Sequence, residues 1–148
     1  YMRPQVMDWV FGCDICQEVC PVNRKANYSC EPEFQRGGFT TLDLVDILEM
    51  TEEEFQERFR GSALKRAKRV GLQRNACVAL GNLGDSQAVP ALAKALLHGE
   101  VLVRGHAAWA LGKLGGQTAA TTLKESLVPE KDSWVREEIE LALNEHTS

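Results

Sequence analysis

Cysteine is the residue type in this chain whose spacing most directly suggests chemistry. Cys13, Cys16 and Cys20 lie within residues 12–21 and make up three of the five cysteines. Their pattern, C-x2-C-x3-C-P, matches the last three cysteines and the proline of the bacterial iron–sulfur run C-x2-C-x2-C-x3-C-P. Soft thiolates suit iron–sulfur and zinc centres, and only the deprotonated sulfur binds. The x3 gap and the Cys20-Pro21 dipeptide favour a cluster, because structural zinc sites pair two short Cys or His knuckles. Pro21 ends the loop and fixes the backbone beside the last ligand. Where the first cysteine of a full run would fall, the chain has Val10. Three thiolates leave a four-thiolate site open, so further ligands must come from Cys30, from Cys77 or from chain outside this sequence. In two-cluster ferredoxins the Cys-Pro cysteine serves a different cluster from its neighbours. On that logic Cys13 and Cys16 belong to one cluster and Cys20 to the other.

The remaining titratable groups carry less. Cys77 reads as a buried thiol, because its counterpart in an internal repeat is Ala108. Cys30 reads as a connector thiol. His98, His106 and His146 read as structural, with His98 beside Gly99 at a helix end, where a cation suits the dipole. No nucleophile–base pair or carboxylate pair stands out, so the chain holds no complete active site.

Charge is sharply segregated. Residues 43–57 contain seven acids and no base, at spacings that suit a solvated helix face. Residues 58–74 contain seven bases (Arg58, Arg60, Lys65, Arg66, Lys68, Arg69 and Arg74) and no acid. In a chain of net charge −4, such a run makes a local field suited to phosphates. Lys65, Arg66, Lys68, Arg69 and Arg74 are the expected RNA contacts, joined by Asn75, whose amide can hydrogen-bond backbone or bases.

The elements that must position these groups fall into two regions. Residues 1–40 are punctuated by Pro4, Gly12, Pro21, Pro32, Gly37 and Gly38, and no helical period survives there. Within them, residues 22–26 suggest a short helix leaving the cysteine loop, and residues 28–38 a connector. From Thr41 onward the pattern is helical. Thr40 with Asp43, and Thr51 with Glu54, have capping spacing. Leu44, Ile47 and Leu48 make one apolar face, and Phe55 with Phe59 another. Gly61-Ser62 breaks a helix, and Ser62 caps a further one expected to end near Val70, before Gly71.

Residues 76–84 recur as residues 107–115 at a period of 31. Val103-Arg104 recurs as Val135-Arg136, and Ala110-Leu111 as Ala142-Leu143, at a period of 32. Residues 87–97 and 118–127 read as the partner helices, with Pro90 in a first turn where its missing N–H costs little. Small Ala and Gly at the recurring positions let helices approach closely, so stacked pairs share one core. The expected architecture is all-α: a HEAT-like helical-repeat solenoid over residues 41–148, preceded over 1–40 by half of a ferredoxin-like segment. Hydrophobic content of 44% and charged content of 26% suit a globular chain, and no apolar run reaches membrane-spanning length. Five cysteines without a secretory signal suggest a reduced compartment. Opening on Tyr1, the chain reads as part of a longer protein.

Four segments, in order, resemble the C-terminal part of the epoxyqueuosine reductase family: residues 12–23 (GCDICQEVCPVN), 59–69 (FRGSALKRAKR), 72–76 (LQRNA) and 79–82 (ALGN). Val22 departs from the tryptophan common in that family. The resemblance implies a cytoplasmic tRNA-modifying oxidoreductase that reduces epoxyqueuosine to queuosine at the wobble position. It implies two 4Fe–4S clusters and a cobalamin, the latter held mainly by a region N-terminal to this sequence. By motif, Cys13 and Cys16 would serve the cluster farther from the cobalamin and Cys20 the nearer one, with residues 65–74 helping to hold tRNA. A monomer is expected, and no membrane partner. Two other classes fit the same residues: a HEAT-like protein scaffold with a zinc knuckle, and a ferredoxin-type carrier serving another cobalamin reductase. If the clusters are shared with chain outside this sequence, residues 1–40 are expected to be poorly ordered and metal-free in isolation.

Overall fold

The structure, a computed structural model, describes residues 2–25 and 43–145. Cys30, Thr40, His146 and the connector at 28–38 lie outside the described residues. Among the described residues the elements are helices and 3-10 turns, without a strand. They are α1 (Ile15–Glu18), α2 (Leu44–Glu49), α3 (Glu52–Arg58), α4 (Lys68–Leu83), α5 (Val89–His98), α6 (Val101–Leu114), α7 (Gly116–Leu127) and α8 (Ser133–Glu145). Turns of 3-10 type occupy Arg3–Val6, Asn23–Lys25, Ala63–Ala67 and Ser86–Ala88.

Helices α4, α6 and α8 stack side by side as one layer, and α2, α5 and α7 form a second layer against them. One apolar core runs between the layers, through Ile47, Leu72, Leu92, Leu96, Leu111, Leu123 and Ile139. This is the two-layer solenoid that the repeat predicts. The small recurring residues act at one place in each copy. A Cβ at Gly81 would lie 3.1 Å from the Ala110 Cα, and one at Gly112 would lie 3.0 Å from the Ala142 Cα. The close approach is thus between successive helices of one layer, α4 to α6 and α6 to α8. Gly84 and Gly115, 31 residues apart, end α4 and α6 at φ +73° and +70°.

A second repeating device closes the other layer. The guanidinium of Arg104 donates to the Gly99 carbonyl at 3.1 Å, just past the end of α5. Arg136 does the same for the Leu127 carbonyl at the end of α7, at 2.8 Å. Gln73 is the third member: its Nε2 donates to the Leu48 carbonyl at 2.8 Å and the Met50 carbonyl at 3.3 Å, at the end of α2. Each side chain supplies a donor to carbonyls that a helix terminus leaves unpaired. Gln73 precedes Arg104 by 31 positions, so α2 and α4 form a first helix pair in register with the others.

Local signals mostly act where the sequence places them. Thr51 and Glu54 form a reciprocal capping box on α3. The Phe55 and Phe59 rings, both buried, lie 5.2 Å apart. Asp43 itself caps α2, its carboxylate accepting from the Val45 and Asp46 N–H groups at 2.8 and 3.3 Å. The helix break differs from expectation. Ser62 caps only the 3-10 turn Ala63–Ala67, the chain then turns at Lys68 (φ +58°), and α4 runs unbroken through Gly71. A glycine inside a helix costs only about 1 kcal/mol relative to alanine. The burial of Leu72, Gln73, Ala76 and Cys77 beyond it more than offsets that.

Candidate metal loop and nucleic-acid interface

The cysteine loop is built from backbone geometry that its sequence dictates. Gly12 stands at φ +76° with no atom near a would-be Cβ, so the turn into Cys13 is one that glycine adopts without strain. The Asp14 carbonyl accepts from the Gln17 and Glu18 N–H groups at 2.8 and 2.9 Å, which closes α1 around Cys16. Asn23 Nδ2 donates back to the Gln17 carbonyl at 3.1 Å, tying the exit of the loop to its middle. The expected helix after Pro21 is the short 3-10 turn Asn23–Lys25. Cys13 and Cys16 are exposed, Cys20 is half-buried, and all three are free thiols. Among the described residues no three Cys, His, Asp or Glu side chains converge on one point. Three soft thiol donors on one loop are the donor type that iron–sulfur and zinc centres take. Cys77 is no source of a further ligand: it is fully buried, and desolvation pushes its thiol up to about 12.

This segment is tied to the solenoid. Asn82 Nδ2 donates to the Arg3 carbonyl at 2.9 Å and to the Met7 carbonyl at 2.6 Å. Asn75, two turns earlier on α4, donates from Nδ2 to the Val10 carbonyl at 2.6 Å. The Arg3 guanidinium makes a two-pronged pair with Glu138 of α8, at 2.6 and 2.5 Å, and lies 5.5 Å from the Trp109 ring centre. Residues 2–10 therefore run across the α4–α6–α8 layer. Sequence reasoning passed over Asn82 and Arg3. The available signal was two asparagines seven residues apart on one helix face.

The basic run, termed the ridge, extends from the end of α3 through the 3-10 turn into α4, with Arg74 turned toward His106 and Arg69 toward Glu52. Arg58, Arg60, Arg66 and Lys68 are exposed, while Lys65, Arg69 and Arg74 are half-buried. The fold brings an acid to it that the sequence keeps apart: Glu52 Oε2 sits 3.1 Å from Arg69 Nε, and Arg69 Nη1 also donates to Gln73 at 2.8 Å. Hydrogen bonds from Gln56 and then Arg69 hold the Glu52 carboxyl below the usual range. Asn75 has its amide nitrogen on Val10. The Arg74 Nε is buried without a hydrogen-bond partner.

Of the histidines, His98 ends α5 and His106 is buried in α6. His106 Nδ1 lies 2.9 Å from the Leu102 carbonyl oxygen, which can only accept, so Nδ1 carries the proton. Burial lowers the His106 pKa, and the positive charges of Arg3 and Arg74 lower it further, against the opposing Leu102 bond and the Glu138 charge. Its ring packs 5.6 Å from Trp134, which suits the structural role expected.

A family profile for HEAT repeats matches residues 58–144. The chain is 34% identical over 141 residues to epoxyqueuosine reductase of Bacillus subtilis (strain 168), covering 93% of this chain and 36% of that protein. Against epoxyqueuosine reductase of Pseudomonas aeruginosa it is 40% identical over 116 residues, covering 77% of this chain and 32% of that protein. A crystal structure of epoxyqueuosine reductase with an epoxyqueuosine-modified tRNA-Tyr stem loop superposes with a TM-score of 0.90 at 31% identity. That match covers 99% of this chain and 40% of the crystallised one. The sequence thus spans between about a third and two-fifths of these relatives' length. The chain belongs to the HEAT-repeat family, and along nearly all of its length it is homologous to part of epoxyqueuosine reductase.

Proposed function

We propose that this chain is the C-terminal portion of an epoxyqueuosine reductase, an oxidoreductase that converts epoxyqueuosine to queuosine at the tRNA wobble position. The observation that carries the reading is the near-complete match, at a TM-score of 0.90, to an epoxyqueuosine reductase crystallised with a modified tRNA stem loop. The free thiols and the basic ridge on this chain supply the two functions that such a portion needs. Cys13 and Cys16 are ligands of one 4Fe–4S cluster and Cys20 of a second, with the other ligands and the cobalamin site on chain outside this sequence. When bound, the clusters relay single electrons toward the cobalamin. The residues of this chain hold the sulfur donors on a fixed loop and present cations to RNA phosphates. The exposed Arg66 and Lys68 are the leading contacts, with Lys65, Arg69 and Arg74 beside them, and the protein acts in the cytoplasm as a monomer.

Two measurements on the full-length protein test this reading. After anaerobic reconstitution, replacing Cys13, Cys16 and Cys20 together by serine should remove most bound iron and sulfide. Unchanged iron would overturn the ligand assignment, and stoichiometric zinc would favour a scaffold with a zinc knuckle. Separately, affinity for tRNA should fall with salt, and each ridge cation replaced by alanine should reduce that slope by about 1 if it meets a phosphate. A slope indifferent to the loss of Lys65, Arg66, Lys68 and Arg69 would remove this ridge from the RNA interface.

A further inference from the structure

Two asparagines of α4, Asn75, expected from sequence to face RNA, and Asn82, bind main-chain carbonyls of the cysteine segment. Asn82 Nδ2 takes the Arg3 and Met7 carbonyls at 2.9 and 2.6 Å, and Asn75 Nδ2 takes the Val10 carbonyl at 2.6 Å. All three partners are pure acceptors, so the amide orientation is forced: nitrogen must face the segment. Seven residues is close to two helical turns, which puts both amides on one face of α4.

Two independent features point to the same contact. Met7, a non-glycine residue, is held at φ +56°, and such backbone persists only where surrounding structure fixes it. Its carbonyl is one of those that Asn82 grips. From the segment's side, Arg3 reaches the other way to Glu138 of α8 and over Trp109 of α6. The segment is therefore fastened to all three helices of one layer. The last of these anchors, at Val10, stands three residues before Cys13.

We propose that Asn75 and Asn82 are positioning residues that fasten the cysteine segment to the helical repeats. The solenoid is then the mount that fixes the metal-binding loop relative to the basic ridge, and Asn75 serves the loop, not the RNA. The part of this inference that concerns metal rests on the cysteine assignment proposed above; the part that concerns the segment does not.

Asn75→Ala and Asn82→Ala, made singly in the full-length protein, separate the possibilities. Alanine has the higher helix propensity, so neither change weakens α4 intrinsically. Hydrogen exchange should speed up at least tenfold at the Gln5 and Trp9 amides, whose bonds to the Met2 and Val6 carbonyls close the docked turns, at unchanged protection in α6 and α8. Iron of the reconstituted protein should pass to a chelator several times faster, and tRNA affinity should not move. Unchanged exchange at both amides would overturn the proposal. So would equal loss of protection throughout, which would make these residues general stabilisers, or weaker tRNA binding by Asn75→Ala at low and high salt alike with exchange unchanged, which would make it an RNA contact. If the triple cysteine variant kept its iron, the metal reading would fail while the exchange result still judged the fastening.

Discussion

At the scale of single residues, glycines of one type do opposite things in this chain. Gly112 lies against α8, where an added Cβ would sit 2.8 Å from the Ala142 Cβ and 3.0 Å from its Cα. Backbone cannot yield as a side-chain tip can, so Gly112→Ala should lower stability by roughly 1–3 kcal/mol despite its better helix propensity. Gly71 has only the Ala67 Cβ within reach, at 4.0 Å. Gly71→Ala should therefore raise stability by about 0.5–1 kcal/mol, and urea unfolding of both variants checks the contrast. His106 gives a second residue-scale expectation. Its pKa is lowered in the folded state from 6.5, so the unfolded chain takes up its proton at higher pH than the folded one. The contribution of His106 to stability is intact above about pH 6.5, is lost as pH falls through that value, and levels off below the depressed folded pKa. Replacing His106 by glutamine should flatten this part of the stability–pH curve, measured by urea midpoints between about pH 5 and 7.5.

At the scale of elements, the paired-helix unit is closed by one side chain per copy. Gln73, Arg104 and Arg136 each reach back to a carbonyl at the end of the preceding outer-layer helix. Arg104 also binds both oxygens of Glu130, at 2.8 and 2.9 Å; that hydrogen bonding raises the arginine's pKa and lowers the carboxylate's. Gln73 is buried, and Gln73→Ala would strand the Leu48 and Met50 carbonyls inside the protein. The expected loss is about 1–3 kcal/mol, read from chemical unfolding, with α2 the first element to lose exchange protection. Recurrence of Val103-Arg104 was visible in the sequence, but its third member was not. Leu72-Gln73 keeps the chemistry of a donor on a long stem while changing both residue types. A comparison of letters therefore misses what a comparison of hydrogen bonds finds.

At the scale of the whole molecule, the thiol loop and the ridge of cations share α4 as their support. The loop is fastened through Asn75 and Asn82, and the ridge rises from the turn Ala63–Ala67 and the first residues of the same helix. Serine at Cys13, Cys16 and Cys20 should thus leave tRNA affinity and its salt slope nearly unchanged, since none of the three thiols belongs to the ridge of cations. A parallel loss of RNA binding, measured by titration at two salt concentrations, would show that the loop and the ridge are not independent. The sequence by itself determined the helical class, the period near 31 residues and the three-thiol loop. Each of these is local: backbone propensity, capping chemistry and ligand spacing act over a few residues, and a repeat repeats them. What only the tertiary structure decided is which distant groups meet. It pairs Glu52 with Arg69, so the acid-free run of the sequence is not acid-free in space. It sends Asn75 to Val10 and Arg3 to Glu138, making a segment without helical period part of the folded body. Such contacts depend on how helices stack across the layer, and no spacing along the chain encodes the partner of a hydrogen bond 65 or 135 residues away.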